Sequence, residues 1–233
     1  MLFGGGRTPA NVVNTLGREI VAGAFPESAT LPPEPEMLDR FGISRTALRE
    51  AYSKLTAKGL VQARPRVGTS VRPRTNWNML DHDVLAWHLQ AVPVDEIATD
   101  LYTLRRMIEP SAAELAAQGR TDEDLTQIYA ALALMRDNAG EEDALVDADF
   151  SFHVAILKAT QNPFIHVFSS LIRAAMLSVF EMSWRGAEVI KDQRLLQHEM
   201  VADAIRDRDG AKARTMMEDL LDRSIEDARV AGA

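Results

Sequence analysis

Residues 31–74 read LPPEPEMLDRFGISRTALREAYSKLTAKGLVQARPRVGTSVRPR, and this stretch decides the fold. Leu31-Pro32-Pro33 is extended, because a residue before proline avoids the helical region. Glu34 to Phe41 reads as a short helix that tolerates Pro35 in its first turn and ends at Gly42. Ser44 caps a third helix that runs to about Lys58, where Gly59 closes it. Leu48, Tyr52 and Leu55 fall on its inward face. Leu60 to Ala63 and Thr69 to Arg72 read as two short strands around the turn Arg64-Pro65-Arg66-Val67-Gly68. Upstream, Val12, Val13, Leu16, Ile20 and Val21 form the apolar stripe of a first helix over Pro9 to Ala22. Three helices and a two-stranded wing make a winged helix-turn-helix.

Arg45 and Arg49 stand four apart at the start of the third helix, so their guanidinium groups share a face that a groove of DNA can receive. Arginine bonds guanine O6 and N7 together and also pairs with phosphate. Thr46 and the amides at the Ser44 cap suit a phosphate. Arg64 and Arg66 sit on the wing beside Gly68, within reach of the backbone or the minor groove. The competing reading is a solvated charged face, with Arg49 paired to a nearby glutamate.

Composition agrees with a divided chain. The net charge of the 233 residues is -8, yet residues 1–75 hold 11 Lys+Arg against 6 Asp+Glu, a charge of +5. The remaining 15 basic and 28 acidic residues leave -13. A basic block joined to an acidic one suggests a nucleic-acid-binding module tethered to something else. No apolar run approaches the roughly 20 residues of a membrane span. The N-terminal MLFGGGRTPA has no apolar core of signal-peptide length. With no cysteine, disulfides and thiolate metal sites are excluded, which fits a cytoplasmic setting.

Residues 1–75 are therefore expected to be the DNA-binding domain, 76–94 a linker and connecting helix, and 95–233 an all-helical bundle. Helices are expected over about 81–90, 93–119, 121–139, 143–160, 162–185, 189–208 and 210–230. The fold class is mainly α.

In the acidic part, Asp149 and His153 lie four apart on a helix face shared with Val146 and Ile156, so they point into the core. His198 stands inside the stripe Leu195, Ala202, Ile205. A carboxylate and two imidazoles facing a bundle core are costly unless paired or bound to something. They make a ligand set for a divalent metal with open positions (Zn, Ni or Mn), or a hydrogen-bonded Asp–His pair without one. Arg105 precedes Glu109 by four and is either an intrahelical ion pair or a cation for a carboxylate ligand. Trp184 either packs or stacks on a sugar face.

Residues 9–72 resemble the DNA-binding domain of the GntR family of bacterial transcription regulators. The resemblance is carried by Leu31-Pro32-Pro33-Glu34, Ser44 to Ala51, Gly59-Leu60-Val61 and Gly68-Thr69. It implies a dimer on a palindromic operator, with Arg45, Thr46 and Arg49 on bases and phosphates and the Arg66–Gly68 wing tip in the minor groove. Relatives often carry arginine where Pro35 stands, which removes one DNA contact.

Residues 95–229 resemble the FCD effector-binding domain of the family's FadR branch, through Arg105 to Pro110, Asp149 to His153, Asn162-Pro163 and His198 to Ile205. That resemblance implies a metal on one Asp and three His, an effector carboxylate beside it, and Arg105 in the effector pocket. Asp149, His153 and His198 match three ligands, and Leu220 replaces the fourth. Asn76 to Asp81, Asp83 to Trp87 and Val179 to Trp184 are similar to sugar-acid-responsive members, implying an aldonate, galactonate-like effector and a repressor. A uronate, lactate or fatty acid is the alternative effector. The rival class is a metal-dependent sugar-acid enzyme, against which no separate general base or nucleophile stands out.

Overall fold

The computed structural model describes residues 8–64, 67–138, 142–183 and 188–231, and the chain divides into two compact units, Met1–Pro93 and Val94–Ala233. In the first, α1 (Pro9–Val21) begins where the Thr8 hydroxyl accepts from the Asn11 amide. All five residues of its apolar stripe are buried. α2 (Glu34–Phe41) ends at Gly42 with φ 60, a left-handed conformation that glycine adopts without strain. α3 (Arg45–Ala57) starts where Ser44 Oγ accepts from the Ala47 amide at 3.2 Å. Leu48 and Leu55 seal it onto α1 with Leu16 and Ile20.

β1 (Val61–Arg64) and β2 (Gly68–Val71) pair antiparallel, from Val61 opposite Val71 to Arg64 opposite Gly68. The residues before α2 join this ribbon. Leu31 N–H donates to Thr69 O at 2.8 Å and Val71 N–H to Ala29 O at 2.9 Å, with a bridge from Thr30 to Ser70. The expectation of a merely extended Leu31-Pro32-Pro33 left this pairing out, because a backbone partner forty residues away has no local signal.

Segment 76–94, expected as a linker and connecting helix, holds α4 (His82–Ala91), capped by Asp81. It packs on the first unit. The Trp87 indole N–H donates to Asn14 Oδ1 at 2.8 Å, and Val84 and Trp87 join the same core. Lys58 Nζ lies 2.7 Å from both Asp81 and Asp83, tying the end of α3 to the start of α4.

The second unit is a bundle of α5 (Val94–Gly119), α6 (Asp122–Asp137), α7 (Glu142–Ala159), α8 (Pro163–His166), α9 (Ser169–Ser183), α10 (Glu188–Arg206) and α11 (Gly210–Ala231). Four core alanines of α5 (Ala112, Ala113, Ala116, Ala117) let α11 approach closely. Phe152, Ile156, Ile172, Val201, Ile205 and Leu221 fill the centre. Arg120 donates to the carbonyls of Ile205 and Arg206, closing the C-terminal end of α10 where a cation is favoured. The expected single helix over 162–185 is two elements. The Asn162 side chain caps α8 at Phe164, and the chain turns at 167–168, where Ser169 Oγ bonds the His166 carbonyl, before α9 begins. The architecture is thus mainly α, a winged helix-turn-helix and a helical bundle.

Candidate functional site

The outer face of α3 presents Arg45, Thr46 and Arg49 to solvent. Arg45 leans on Glu34 at 3.3 Å with three quarters of its side chain exposed. Arg49 has no ion pair among the described residues, against the reading that paired it to a neighbouring glutamate. A groove of about 1080 Å³ runs past Pro33, Glu34, Arg49, Tyr52, Val67 and Thr69. Burial, reinforced by Glu34, pushes the Tyr52 hydroxyl above its ordinary pKa, so it stays a neutral donor in this groove. Arg64 is exposed at the end of β1, and Gly68 (φ 110) turns the chain into β2. Arg66 lies outside the described residues. Three other basic residues of this unit are engaged locally: Arg40 with Glu19, Lys54 with Glu50, and Lys58 with its two aspartates.

In the second unit, α7 carries Asp149 and His153 and α10 carries His198, as their stripes predict. All three are buried, and one ligand atom from each lies within 4.8 Å of the others. His198 Nε2 is 2.8 Å from Asp149 Oδ1, and His153 Nε2 is 3.3 Å from the same oxygen. The far nitrogens are held as well. His198 Nδ1–H donates to the Arg194 carbonyl at 2.7 Å, and Glu109 closes on His153 Nδ1. The Phe152 ring stands edge-on to both imidazoles, 5.6 and 4.9 Å between centroids.

α5 adds Arg105 and Glu109, which are 5% and 1% exposed. Arg105 Nε donates to Glu109 Oε1 at 2.5 Å, so the intrahelical ion pair is present. Its Nη2 lies 3.3 Å from His153 Nε2, so the same guanidinium also reaches the cluster. A cavity of about 10 Å³ at the centre is lined by Arg105, Asp149, His153 and His198 with Arg194, Gln197, Leu220 and Ser224. That is about the space of one water molecule. Leu220 presents an apolar wall there and cannot ligate.

Charges balance tightly among these buried groups. Burial alone would raise the Glu109 carboxyl, but the Arg105 charge and then His153 hold it down at about 2. Burial likewise opposes ionisation of Asp149, yet His198 and His153 hold it well below the usual carboxylate range. Burial would lower the His153 pKa, and Glu109 and Asp149 carry it above the ordinary value. The donor set suits a divalent metal: two imidazole nitrogens and one carboxylate, with the His198 ring oriented through its other nitrogen and Glu109 close to that of His153.

Glu109 as a neighbour of His153, and Arg194, Gln197 and Ser224 as lining residues, were not read from the sequence. Arg194 stands four before His198, so helical spacing alone could have placed it on that face. Trp184 lies outside the described residues.

Residues 8–71 match the family of bacterial regulatory proteins described as the gntR family, and residues 100–223 match the FCD domain. The chain belongs to the GntR family. This GntR regulator is 37% identical over 202 residues to the galactonate operon transcriptional repressor of Escherichia coli strain K12, covering 87% of this chain and 88% of that one. It is 36% identical over 201 residues to the HTH-type transcriptional regulator YieP of the same organism, covering 85% of each. Among solved structures it is similar to Lar, which controls expression of the Listeria monocytogenes agr system. That likeness has a TM-score of 0.63 at 20% identity, covers 95% of this chain and 96% of that one, and shows the fold alone. The GntR regulator is a DNA-binding transcription regulator and not an enzyme. Among the described residues no helix is long and apolar enough to cross a membrane.

Proposed function

We propose that this GntR regulator represses a sugar-acid catabolic operon in the cytoplasm, as a homodimer on a palindromic operator, and is released by an aldonate effector of galactonate type. The observation that carries this reading is the buried convergence of Arg105 and Arg194 on Asp149, His153 and His198. Arginine supplies a planar fork for a carboxylate, and the carboxylate and imidazole groups suit the hydroxyls of a sugar acid. The relative named for the galactonate operon, alike over most of both chains, points the same way.

In this reading Asp149, His153 and His198 would hold a divalent metal, Zn, Ni or Mn, which when bound supplies a Lewis-acidic anchor for the effector's carboxylate. Leu220 contributes no ligand, so a bound metal would keep a position for the effector. Arg45, Thr46 and Arg49 contact bases and phosphates, Ser44 fixes the helix start over a phosphate, and Arg64, Arg66 and Gly68 form the wing contact. Trp184 would cover a sugar face. Release requires the effector to favour the arrangement that does not bind DNA, since a ligand shifts an equilibrium only by its differential affinity for the two states.

A thermal-shift screen of aldonates, uronates, lactate and fatty acids, each with and without Zn²⁺, tests the effector class. A ligand of the native state raises the melting temperature with concentration. Stabilisation by galactonate or a near relative, followed by its release of the operator in a gel shift, is the expected result. Stabilisation by a fatty acid alone, or by none of these, overturns the sugar-acid reading.

A further inference from the structure

We propose that Arg105 occupies the cation-binding side of the cluster and must surrender His153 to a metal, so that metal binding itself releases the guanidinium to the effector. The inference rests on the preceding reading that the cluster takes a divalent metal and a carboxylate.

The physical basis is the single in-plane bonding position of an imidazole nitrogen. At Nε2 of His153 that position holds one partner: a proton, an arginine N–H, or a metal ion. In the structure Arg105 Nη2 lies 3.3 Å from this atom and Asp149 Oδ1 lies 3.3 Å from it. Glu109 pairs with the opposite nitrogen, so Nε2 is the nitrogen on the cluster side. If the ring is protonated, Nε2–H faces Asp149 and Arg105 only packs beside it; if it is neutral, Nε2 accepts from Arg105. In either case a metal on Nε2 needs the position that Arg105 Nη2 crowds at 3.3 Å. The space around them is too small for both, since the cavity of about 10 Å³ has no room for an ion, a carboxylate and the guanidinium where it now lies.

Glu109 also determines what the displaced arginine can do. Its bond to Arg105 is through Nε, at 2.5 Å, while Nη2 approaches the same carboxylate only to a long 3.5 Å. Arg105 can thus stay anchored by Nε while its outer nitrogens turn away from His153. Those nitrogens, repelled by a divalent charge, are the donors a carboxylate would use. Metal first and effector second is the order this geometry imposes, and each should strengthen the other.

The test is zinc affinity of the full chain, read by competition with a chromophoric chelator. Arg105→Met should bind Zn²⁺ at least tenfold more tightly than wild type, and bind galactonate more weakly. Because that variant leaves Glu109 unpaired, Arg105→Met/Glu109→Gln is the companion. Zinc affinity equal to or below wild type in a variant with an unchanged circular dichroism spectrum overturns the proposal and leaves the metal reading intact. Absence of zinc binding in wild type and variants alike overturns both. Wild type alone gives an independent reading through arginine side-chain ¹⁵N signals, with Arg105 assigned by Arg105→Lys. A protected Arg105 Nη–H should be lost on adding Zn²⁺, and its persistence in the zinc-bound chain overturns the proposal whatever the variants do.

Discussion

The indole of Trp87 on α4 lies against Gly17 of α1 so closely that a Cβ on Gly17 would overlap its ring. The ring cannot slide aside freely, being 4% exposed and held by Asn14. Gly17 is therefore the seat of α4. Gly17→Val should destabilise the first unit by about 1–3 kcal/mol, the usual penalty for overpacking. Thermal unfolding checks the magnitude, and a red shift in tryptophan emission checks that the indole has left its site. An unshifted emission with an unchanged melting temperature would show that α4 docks some other way.

The other fastening of α4 is ionic and titrates. Burial would lower the Lys58 pKa, but Asp81 and Asp83 raise it above 10.5, while Lys58 holds Asp83 below 3.8. A raised lysine contributes stability that is complete below its unfolded value and is lost as pH climbs through the folded one. A lowered aspartate contributes stability that is complete above its unfolded value and is lost as pH falls through the folded one. The contribution should be flat between about pH 4 and pH 10 and decline on either side. Lys58→Met should remove both declines from the melting-temperature profile of the first unit.

Arg49 is exposed and unpaired among the described residues, so its removal disturbs no packing. Arg49→Ala should leave the circular dichroism spectrum and melting temperature unchanged while lowering operator affinity by tenfold or more, as for an arginine on a guanine. In wild type the logarithm of affinity should fall linearly with that of salt concentration, since phosphate contacts release counterions. Gel-shift titrations over 50–200 mM salt measure both, and an unchanged affinity in the variant would remove α3 from the contact surface.

His153→Ala should separate sensing from binding. The side chain lies wholly in the second unit, so operator affinity should stay within about twofold of wild type while effector concentrations that release wild type leave the variant bound. Derepression that survives the change would move the effector away from this cluster. Some loss of stability, about 1–3 kcal/mol, is expected from the buried Glu109 and Asp149 left with one partner fewer.

How far each of these features could be read from the sequence depends on the range of the force that makes it. Ser44, Gly42 and Gly59 bound α2 and α3 through interactions within four residues, so helix ends there were legible. The inward stripes placed Asp149, His153 and His198 together because helical periodicity is itself a statement about faces. The contact of Glu109 with His153 depends on how α5 packs against α7, and nothing in either stripe sets that register. The same holds for Arg105, whose spacing to Glu109 showed the ion pair and concealed the second partner. The turn at 167–168 escaped because Phe164 to Phe168 carries no glycine or proline to mark it.

The strand-like pairing of residues 29–31 with β2 gives the wing a third line of support. A lone two-stranded ribbon is marginally ordered in water and loses freedom when it meets a partner. Here the base of the ribbon is bonded to the segment that leads into α2, so that part is organised before DNA arrives. The energy of the wing contact can then go into holding the operator, with less of it spent on stiffening the wing. The same bonds make the wing base and the start of α2 mechanically one piece: a displacement of either should be felt by the other.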